Sequence, residues 1–418
     1  MIGIDILEID KVNNLISKER FFERVFTQEE MVYLQHKKMS RQTIAGLYAA
    51  KEAVAKMFGL GIAKGLGFKD IEVLHDENMA PYLNLKKKIV RKLMDKRVIK
   101  DVCLSISHDG DKVVAVASAN LYEDQENLPE IDKEMAALLP ERNPSYNKYD
   151  YGKVLIIGGK QGMGGAITLA AKASLRSGVG ITCVLVPDSI SQSLSYKLTE
   201  VIIHSQKSDP KGEFSPVEKD KFINFINTFD AVAIGPGMGQ NLAAKRMLEL
   251  IIENYEGPLV IDADGINVLS KEVEIADLKK NIYITAHEME FARISGYSVE
   301  EIRSDRLKKA QEFVNVHDVN LLVKGPNSLI INRSGHYINK TGNSGMATAG
   351  SGDSLTGILA GLLARKDSVD MLRLATYIHG LAGDYCCQDL GEDSMLASDI
   401  INYLPKAFKY MRKEQENE

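Results

Sequence analysis

A glycine-rich segment near the C-terminal end of the chain has the composition of an anion-binding loop. Residues 341–357 read TGNSGMATAGSGDSLTG, and the apolar stretch ILAGLLA follows directly, as a helix would. Glycines before a helix leave backbone N–H groups free to converge on an anion, and the helix N-terminus adds favourable partial charge. Asp353 could take a proton from a hydroxyl group that attacks a phosphate, or it could cap the helix; the spacing leaves both open.

Two carboxylates in the first part of the chain could hold a divalent cation. Asp5 lies in IGIDILEI, residues 2–9, whose alternation of side chains predicts a strand. Glu52 lies in TIAGLYAAKEAVAKMFG, residues 43–59, which has the pattern of a helix. Because Mg²⁺ prefers oxygen ligands, the two carboxylates could form a metal site. The alternative is that Glu52 only forms an ion pair with Lys56, one helical turn further on.

Three further loops follow apolar, strand-like runs: GGKQGMGGA at 158–166, GPGMG at 235–239 and LVIDADG at 259–265. The glycine spacing does not match the dinucleotide fingerprint, so a backbone floor beneath a ligand explains these glycines better. In an open α/β sheet such loops line the carboxyl edge, where ligands bind. Asp262 and Asp264 could be turn-forming acids or could act around a metal or phosphate.

The order of the elements that carry these residues predicts two domains of different fold classes. Up to residue 122, short alternating strands surround two helical patterns, which indicates a small α+β domain. From residue 138, apolar strands alternate with helices, which indicates an α/β fold with a mainly parallel sheet. NLLVKG and SLIINRSG predict a hairpin on that sheet. We therefore expect domains at 1–122 and 138–418, joined by an acidic linker at 123–137.

The composition is that of an ordinary globular protein, with 44% hydrophobic and 26% charged residues among 418 and a formal net charge of −5. We expect no membrane span, because no long apolar run occurs. We expect a cytoplasmic protein, because four cysteines without metal-ligand spacing suit a reducing compartment. We also expect no nucleic-acid partner. The basic stretch at 86–100, KKKIVRKLMDKRVIK, is either a solvated helix face or a docking surface for an acidic partner.

Several motifs in residues 1–120 occur in the order of one known family. They are GIDILEI, FTQEE, AAKEAVAK with FGLGIAKGLGF, and LSISHDG, and the segment resembles holo-acyl-carrier-protein synthase. That family has the 4′-phosphopantetheinyl transferase fold and uses Mg²⁺ to move 4′-phosphopantetheine from coenzyme A to a serine of acyl carrier protein. The resemblance implies that Asp5 and Glu52 are catalytic metal ligands. It also implies roles near coenzyme A for Lys51, Gly59, Gly61 and His108.

Three positions bear on how far this resemblance extends to substrates. Leu47 stands where the family usually has a basic residue, and Met79-Ala80-Pro81 stands where Gly-Lys-Pro is usual. These departures concern substrate affinity more than metal binding. Lys11 stands where the family often has an arginine that contacts the carrier protein.

Residues 138–404 carry a second ordered set of motifs: YGKVLIIGGKQGMGGA, GPGMG, VIDADG, ITAHEMEF, LVKGPNS, NSGMATAGSGDSLTGILAGLLA and YIHGLAGD. They resemble the ADP- or ATP-dependent NAD(P)H-hydrate dehydratases, which have a ribokinase-like fold. That family repairs the hydrated cofactors NADHX and NADPHX. Because hydroxide is a poor leaving group, the hydroxyl group of the hydrate is first phosphorylated, and loss of the phosphate restores the double bond of the ring.

This second resemblance implies a role for each matching residue. Asp353 would be the base, and the hydrate would contact Ala166, Gly237, His287 and Asp353. ADP or ATP would be held by Lys324, Gly325, Pro326, Asn327, Ser328, Gly350 and Gly352. The family's usual TPHPGE reads TAHEME at residues 285–290, so two turn-fixing residues, the proline and glycine that follow the histidine, are missing and the shape of that loop is left open.

The leading hypothesis is a bifunctional enzyme with acyl carrier protein, coenzyme A and NADHX or NADPHX as partners. One alternative is a vitamin or sugar kinase of the same fold, against which the extended NSGMATAGSGD run and the KGPNS hairpin count. Another is a nucleotide-sensing regulator in which one domain has lost catalysis, against which the presence of Asp5, Glu52 and Asp353 counts. We also expect a homo-oligomer, although synthases are typically trimers and dehydratases tetramers.

Overall fold

The computed structural model describes the chain except residues 19, 60–61, 63–66, 78, 86–97, 123–130, 273–280 and 417–418. The chain divides into two compact units, Met1–Leu128 and Pro129–Glu418. This division agrees with two domains of the predicted fold classes, whereas the precise bounds of the linker stay a prediction. Among the described residues, no helix is long and apolar enough to cross a membrane.

The first unit is a small α+β fold. Its helices are α1 (Lys11–Ile16), α2 (Phe21–Val25), α3 (Gln28–His36) and α4 (Arg41–Met57). Its strands are β1 (Ile2–Glu8), β2 (Ile71–His75), β3 (Pro81–Leu85), β4 (Val98–Asp109) and β5 (Lys112–Tyr122). An antiparallel sheet has the order β1-β5-β4, and β2 and β3 form a separate hairpin. Most of the basic stretch at 86–100 lies outside the described residues, so neither interpretation of it is tested.

Helix α4 packs on this sheet through a face of small residues. Ala45, Ala49 and Ala53 are fully buried. A Cβ atom at Gly3 would lie 2.1 Å from the Ala53 carbonyl oxygen, so β1 and α4 are in backbone contact. This close approach places the side chains of Asp5 and Glu52 on facing elements.

The second unit is built around a nine-stranded sheet with the order β14-β13-β12-β11-β10-β9-β6-β7-β8. The strands are β6 (Lys153–Ile157), β7 (Ile181–Pro187), β8 (Ile202–Gln206), β9 (Ala231–Ile234), β10 (Leu259–Asp262), β11 (Ile282–His287), β12 (Asn320–Lys324), β13 (Leu329–Asn332) and β14 (Gly335–Ile338). Strands β6 to β12 pair in parallel, and β12, β13 and β14 pair antiparallel. The predicted mainly parallel sheet and its hairpin are therefore confirmed.

Helices cover both faces of this sheet. They are α5 (Lys133–Ala137), α6 (Gly164–Arg176), α7 (Asp188–Ser195), α8 (Lys219–Ile226), α9 (Leu242–Asn254), α10 (Asp264–Glu272), α11 (Glu288–Ser295), α12 (Val299–Ser304), α13 (Arg306–His317), α14 (Ser351–Arg365), α15 (Asp370–Leu390) and α16 (Ala397–Glu416). The end of the segment predicted as a linker thus forms α5. Its Met135 is fully buried, because an apolar side chain there packs into the second unit.

Helix α14 positions the glycine-rich loop by packing directly on α6. A Cβ atom at Gly357 would lie 2.0 Å from the Ala170 carbonyl oxygen, so only glycine allows the two backbones to approach this closely. The loops after β6, β9, β10, β11 and β12 leave the carboxyl edge of the sheet, as expected for parallel strands. The start of α14 lies among these loops, since Thr356 donates a hydrogen bond to Asp262 at the end of β10.

Candidate functional site

Asp353 lies in the first turn of α14 but does not cap it. The N-cap residue is Gly350, whose φ of 91° is left-handed and suits glycine. A Cβ atom there would also lie 2.3 Å from the Leu169 Cδ1 atom, so a larger residue would require the Leu169 side chain to move. Of the two interpretations of Asp353 that the sequence allows, the N-cap interpretation is wrong. The carboxylate is instead carried by the third residue of the helix, near the backbone N–H groups that a helix N-terminus leaves without intrahelical partners.

The surroundings of Asp353 place its protonation in a range that suits a base. Burial and the neighbouring Asp262 carboxylate raise the pKa of Asp353 to about 6, while the Lys324 ammonium opposes this shift. A carboxyl group with this pKa is mostly ionised at neutral pH and is more basic than an ordinary aspartate. The site can therefore accept a proton from a hydroxyl group.

A largely buried ion pair lies near Asp353 at this edge of the sheet. Lys324 Nζ lies 2.7 Å from Asp262 Oδ1, and Thr356 Oγ1 donates a hydrogen bond of 2.7 Å to Asp262 Oδ2. Burial opposes the charge on Lys324, but Asp262 and Glu290 outweigh it, so the pKa of Lys324 is raised. A Cβ atom at Gly352 would lie 3.4 Å from Lys324 Nζ. A charged ammonium thus lies beside the glycine loop, where an anion would bind.

The two acids of LVIDADG have distinct positions. Asp262 is 1% exposed and holds Lys324, so it belongs to the network around the glycine loop. Asp264 accepts a hydrogen bond of 3.0 Å from the Gly239 backbone N–H and therefore anchors the GPGMG loop. Between them, Ala263 has a φ of 48°, which is uncommon for a residue with a side chain.

The loop at His287 keeps a defined shape without the missing proline and glycine. His287 is the last residue of β11 and the N-cap of α11. Its Nδ1 atom accepts from the Glu290 N–H at 3.2 Å, and its own N–H donates to Glu290 Oε2 at 2.9 Å. This capping box satisfies two N–H groups that a helix start leaves unpaired. Burial lowers the pKa of His287, which favours the neutral ring that the cap requires.

The residues expected to contact the hydrate and the nucleotide lie on neighbouring loops. A Cβ atom at Gly237 would lie 3.2 Å from Ala166 Cβ, so the loops after β6 and β9 meet at these two residues. Gly325 to Ser328 form the turn between β12 and β13, in which Ser328 Oγ donates to the Gly325 carbonyl oxygen at 2.9 Å. Asn327 has a φ of 54° in this turn. Which ligand each residue contacts stays a prediction.

Several polar residues of this edge were not found from the sequence. His379, inside the apolar α15, places Nε2 3.4 Å from Ser351 Oγ in the glycine loop, and burial lowers the pKa of His379 to about 4. Lys160 pairs with Glu213 at 2.7 Å across two loops. Arg306 donates to the Pro326 carbonyl oxygen at 3.4 Å. A histidine within an apolar helix was a usable signal, whereas the other two depend on contacts between distant segments.

The first unit brings Asp5 and Glu52 together. Lys56 Nζ lies 2.8 Å from Asp5 Oδ1, so Lys56 forms its ion pair with the carboxylate on the strand. The alternative, a simple ion pair between Glu52 and Lys56, is therefore wrong. Burial and the Asp5 carboxylate raise the pKa of Glu52, while Lys56 and a hydrogen bond from Tyr48 oppose the shift. Two neighbouring carboxylates form a donor set that suits a hard divalent cation.

The other predicted residues of the first unit differ in accessibility. Lys51 is fully buried, pairs with the buried Glu30 at 2.8 Å and donates to the Phe68 carbonyl oxygen at 2.9 Å. It therefore stabilises the unit, and its predicted contact with coenzyme A stays a prediction. His108 is exposed on β4, and Gly59 has a φ of 70° after α4. Gly61 lies outside the described residues.

Comparison with known proteins identifies a family for each unit. Residues 154–406 match the family described as NAD(P)H-hydrate dehydratase, and residues 1–117 match the 4′-phosphopantetheinyl transferase superfamily. A bifunctional NAD(P)H-hydrate repair enzyme of Moorella thermoacetica is 37% identical over 282 residues, 66% of this chain and 53% of the relative. One from Thermofilum pendens is 33% identical over 285 residues, 67% of this chain and 54% of the relative. The chain thus spans about half the length of these relatives.

Solved structures resemble the second unit. The ADP/ATP-dependent NAD(P)H-hydrate dehydratase of Bacillus subtilis, co-crystallised with ATP and Mg²⁺, is 27% identical, with a TM-score of 0.59 over 68% of this chain and 99% of that protein. A ribokinase-like superfamily protein of Enterococcus faecalis is 26% identical, with a TM-score of 0.58 over 70% of this chain and 98% of that protein. The ribokinase-like fold expected from the sequence is therefore confirmed.

The raised pKa of Asp353 predicts a pH-dependent stability difference. Since the pKa is about 6 in the fold and ~3.9 in an unfolded chain, stability present below pH ~4 is lost as the pH rises through about 6. Relative to the wild type, Asp353→Asn should gain about 1 kcal/mol in free energy of unfolding between pH ~5 and ~8, after allowance for solvent screening. Urea unfolding followed by circular dichroism measures this.

The matched control for this experiment is Asp393→Asn, which changes an exposed carboxylate of the same unit. The difference in free energy of unfolding between Asp393→Asn and the wild type should be the same at pH ~5 and at pH ~8. An Asp353→Asn difference that is also constant with pH would contradict the environment described for Asp353.

Proposed function

The chain belongs to the NAD(P)H-hydrate dehydratase family, and we propose that its second unit dehydrates (S)-NADHX and NADPHX to NADH and NADPH with ADP or ATP as phosphoryl donor. The observation that carries the proposal is the placement of Asp353, with a pKa of about 6, in the glycine loop next to the charged Lys324. A proton acceptor beside an anion cradle is what phosphorylation of a hydroxyl group requires.

The proposed reaction has two steps. Asp353 takes the proton of the hydrate's hydroxyl group, and the hydroxyl oxygen attacks the terminal phosphorus of the nucleotide, so that AMP leaves from ADP or ADP leaves from ATP. The C–O bond to the new phosphate then breaks while the neighbouring carbon loses a proton, which forms the ring double bond and releases inorganic phosphate. Lys324 and the N–H groups at the start of α14 stabilise the charge of the transferred group.

The turn at 325–328 is proposed to hold the nucleotide, and Ala166, Gly237 and His287 are proposed to contact the hydrate. This arrangement is supported by the position of both sets on loops at the carboxyl edge of the parallel sheet. Lys324, at the end of β12, belongs to the first set and also touches the glycine loop. The phosphoryl donor and the acceptor would thus meet beside Asp353.

Asp353→Asn should lower the rate of hydrate turnover by at least ~100-fold, because an amide cannot accept the hydroxyl proton. The assay incubates the purified chain with NADHX and ADP, or with ATP, and follows the absorbance of the reduced nicotinamide. Asp393→Asn is the control and should match the wild type. Accumulation of a stable phosphorylated product in place of reduced cofactor would favour the vitamin or sugar kinase instead.

For the first unit, we propose Mg²⁺-dependent transfer of 4′-phosphopantetheine from coenzyme A to a serine of acyl carrier protein. The match to the transferase superfamily supports this class of activity. Asp5 and Glu52 are proposed to hold Mg²⁺, which would neutralise charge on the pyrophosphate of coenzyme A when bound. We propose that Lys11, which is exposed at the start of α1, contacts the acidic carrier. We also propose a cytoplasmic location, because all four cysteines are free thiols, as is usual in a reducing compartment.

Glu52→Gln should reduce this transfer by at least ~100-fold, because it removes one of the two charged ligands. The measurement is the mass increase of an acyl carrier protein incubated with coenzyme A, Mg²⁺ and the purified chain. Glu23→Gln, at an exposed carboxylate on α2, is the control. Full activity of Glu52→Gln would contradict the proposed two-carboxylate metal site. Inactivity of the wild type would favour the alternative that the first unit has lost catalysis.

We further propose that the chain forms a homo-oligomer through the first unit. Ile2, Ile4 and Ile6 are 70%, 51% and 62% exposed on one face of β1, and such a strip of large apolar side chains is unfavourable in water. Light scattering should give the wild type a multiple of the single-chain mass and give Ile4→Lys a smaller one. Val32→Lys, at an equally exposed 51% position on α3, is the control. A single-chain mass for the wild type would contradict the proposal.

A further inference from the structure

A basic pocket lies at the end of α14 opposite to Asp353. The cavity has a volume of about 630 Å³, within the range of small-molecule sites. Arg365, the last residue of α14, follows Asp353 by 12 positions, so the two ends are roughly 18 Å apart at the helical rise of ~1.5 Å per residue. The basic and aromatic residues that line the pocket are Arg142, Arg176, Arg365, Phe408, Lys409 and Arg412.

Three of these guanidinium groups are held close together by backbone carbonyl groups. Arg142 donates to the Gly178 carbonyl oxygen at 3.1 Å, and Arg365 donates to the Ser177 carbonyl oxygen at 3.0 Å. A Cβ atom at Gly178 would lie 3.0 Å from a terminal nitrogen of each of these arginines. Arg365 and Arg412 both donate to the Pro140 carbonyl oxygen, at 3.1 and 2.8 Å. The carbonyl groups fix the geometry of the cluster but carry no net charge.

The charge of this cluster is not balanced by the pocket itself. Within the described ranges, no carboxylate lies within ion-pair distance of Arg142, Arg365 or Arg412. Glu141 and Glu416 also line the cavity, against five basic residues. Burial, reinforced by the like charges of Arg142 and Arg412, lowers the pKa of Arg365 to about 10. Its buried Nε atom has no hydrogen-bond partner. The Tyr151 ring, whose centroid lies 4.5 Å from the Arg142 guanidinium carbon, offsets part of the repulsion between these charges, and a bound anion would offset the rest.

Helix capping accounts for only part of the cluster. Arg176 and Arg365 end α6 and α14, where a cation interacts favourably with the helix dipole. Arg142 and Arg412 do not end these helices, yet they converge on the same cavity. We propose that this pocket binds a small anion with two or more phosphoryl groups, separately from the glycine loop. Planar guanidinium groups suit phosphate oxygens, and the half-buried Phe408 provides an apolar wall.

The test is isothermal titration of the full chain with pyrophosphate. Arg142→Gln combined with Arg412→Gln should weaken one binding event by at least about tenfold, since two charge-assisted contacts are lost. Arg246→Gln, at a surface arginine that pairs with Glu249 on α9, is the matched control and should bind as the wild type does. The glycine loop, which is unchanged in these variants, supplies any binding event that persists.

A second variant guards against a fold effect of the arginine substitutions. Lys409 is exposed at the rim, and Lys409→Glu leaves the bonds to the carbonyl groups intact while it reverses one charge, so binding should weaken about fivefold. Thermal unfolding without ligand should be unchanged in this variant. Pyrophosphate isotherms of the double variant and of Lys409→Glu that both equal that of Arg246→Gln would overturn the proposal.

Discussion

The buried pair of Asp262 and Lys324 is the interaction on which the edge of the second sheet depends. Asp262 ends β10 and Lys324 ends β12, and neither charge could stay buried without the other. Thr356 ties the same carboxylate to α14. Three elements that are distant in sequence therefore converge at one point, and the glycine loop is held against an ammonium group.

The same pair sets the chemistry of Asp353. Its carboxyl group lies near a carboxylate and an ammonium group at once, so burial and repulsion raise its pKa while attraction limits the rise. A buried carboxyl group without a nearby cation would stay protonated at neutral pH, and a fully exposed carboxylate would be a weak base. The value of about 6 lies between these limits.

Both units place two neighbouring carboxylates beside a lysine, and the lysines differ in burial. The carboxylates are those of Asp262 and Asp353 in the second unit and those of Asp5 and Glu52 in the first. In the second unit only 19% of the lysine side chain is exposed, and its ammonium lies beside the glycine loop. In the first unit Lys56 is half exposed, and Glu52 has a raised pKa next to Asp5. An exposed lysine is displaced from its partner more readily than a buried one, because solvent screens the pair. The carboxylates of Asp5 and Glu52 are thus better suited to exchange a lysine for another cation. The site around Asp262 is better suited to keep the ammonium group of Lys324.

The sequence alone determined the two fold classes, the parallel sheet with its hairpin, and the segments that carry Asp5, Glu52 and Asp353, because strand alternation, apolar runs and glycine-rich turns are local patterns. It left open whether Asp353 caps a helix, what Asp262 and Asp264 do, and which acid Lys56 pairs with. Only the tertiary structure decided these points, and it alone revealed His379 beside Ser351 and the arginine cluster around Gly178. The physical reason is that charge balance, burial and pKa depend on groups brought together from distant parts of the chain, and no local spacing records those neighbours.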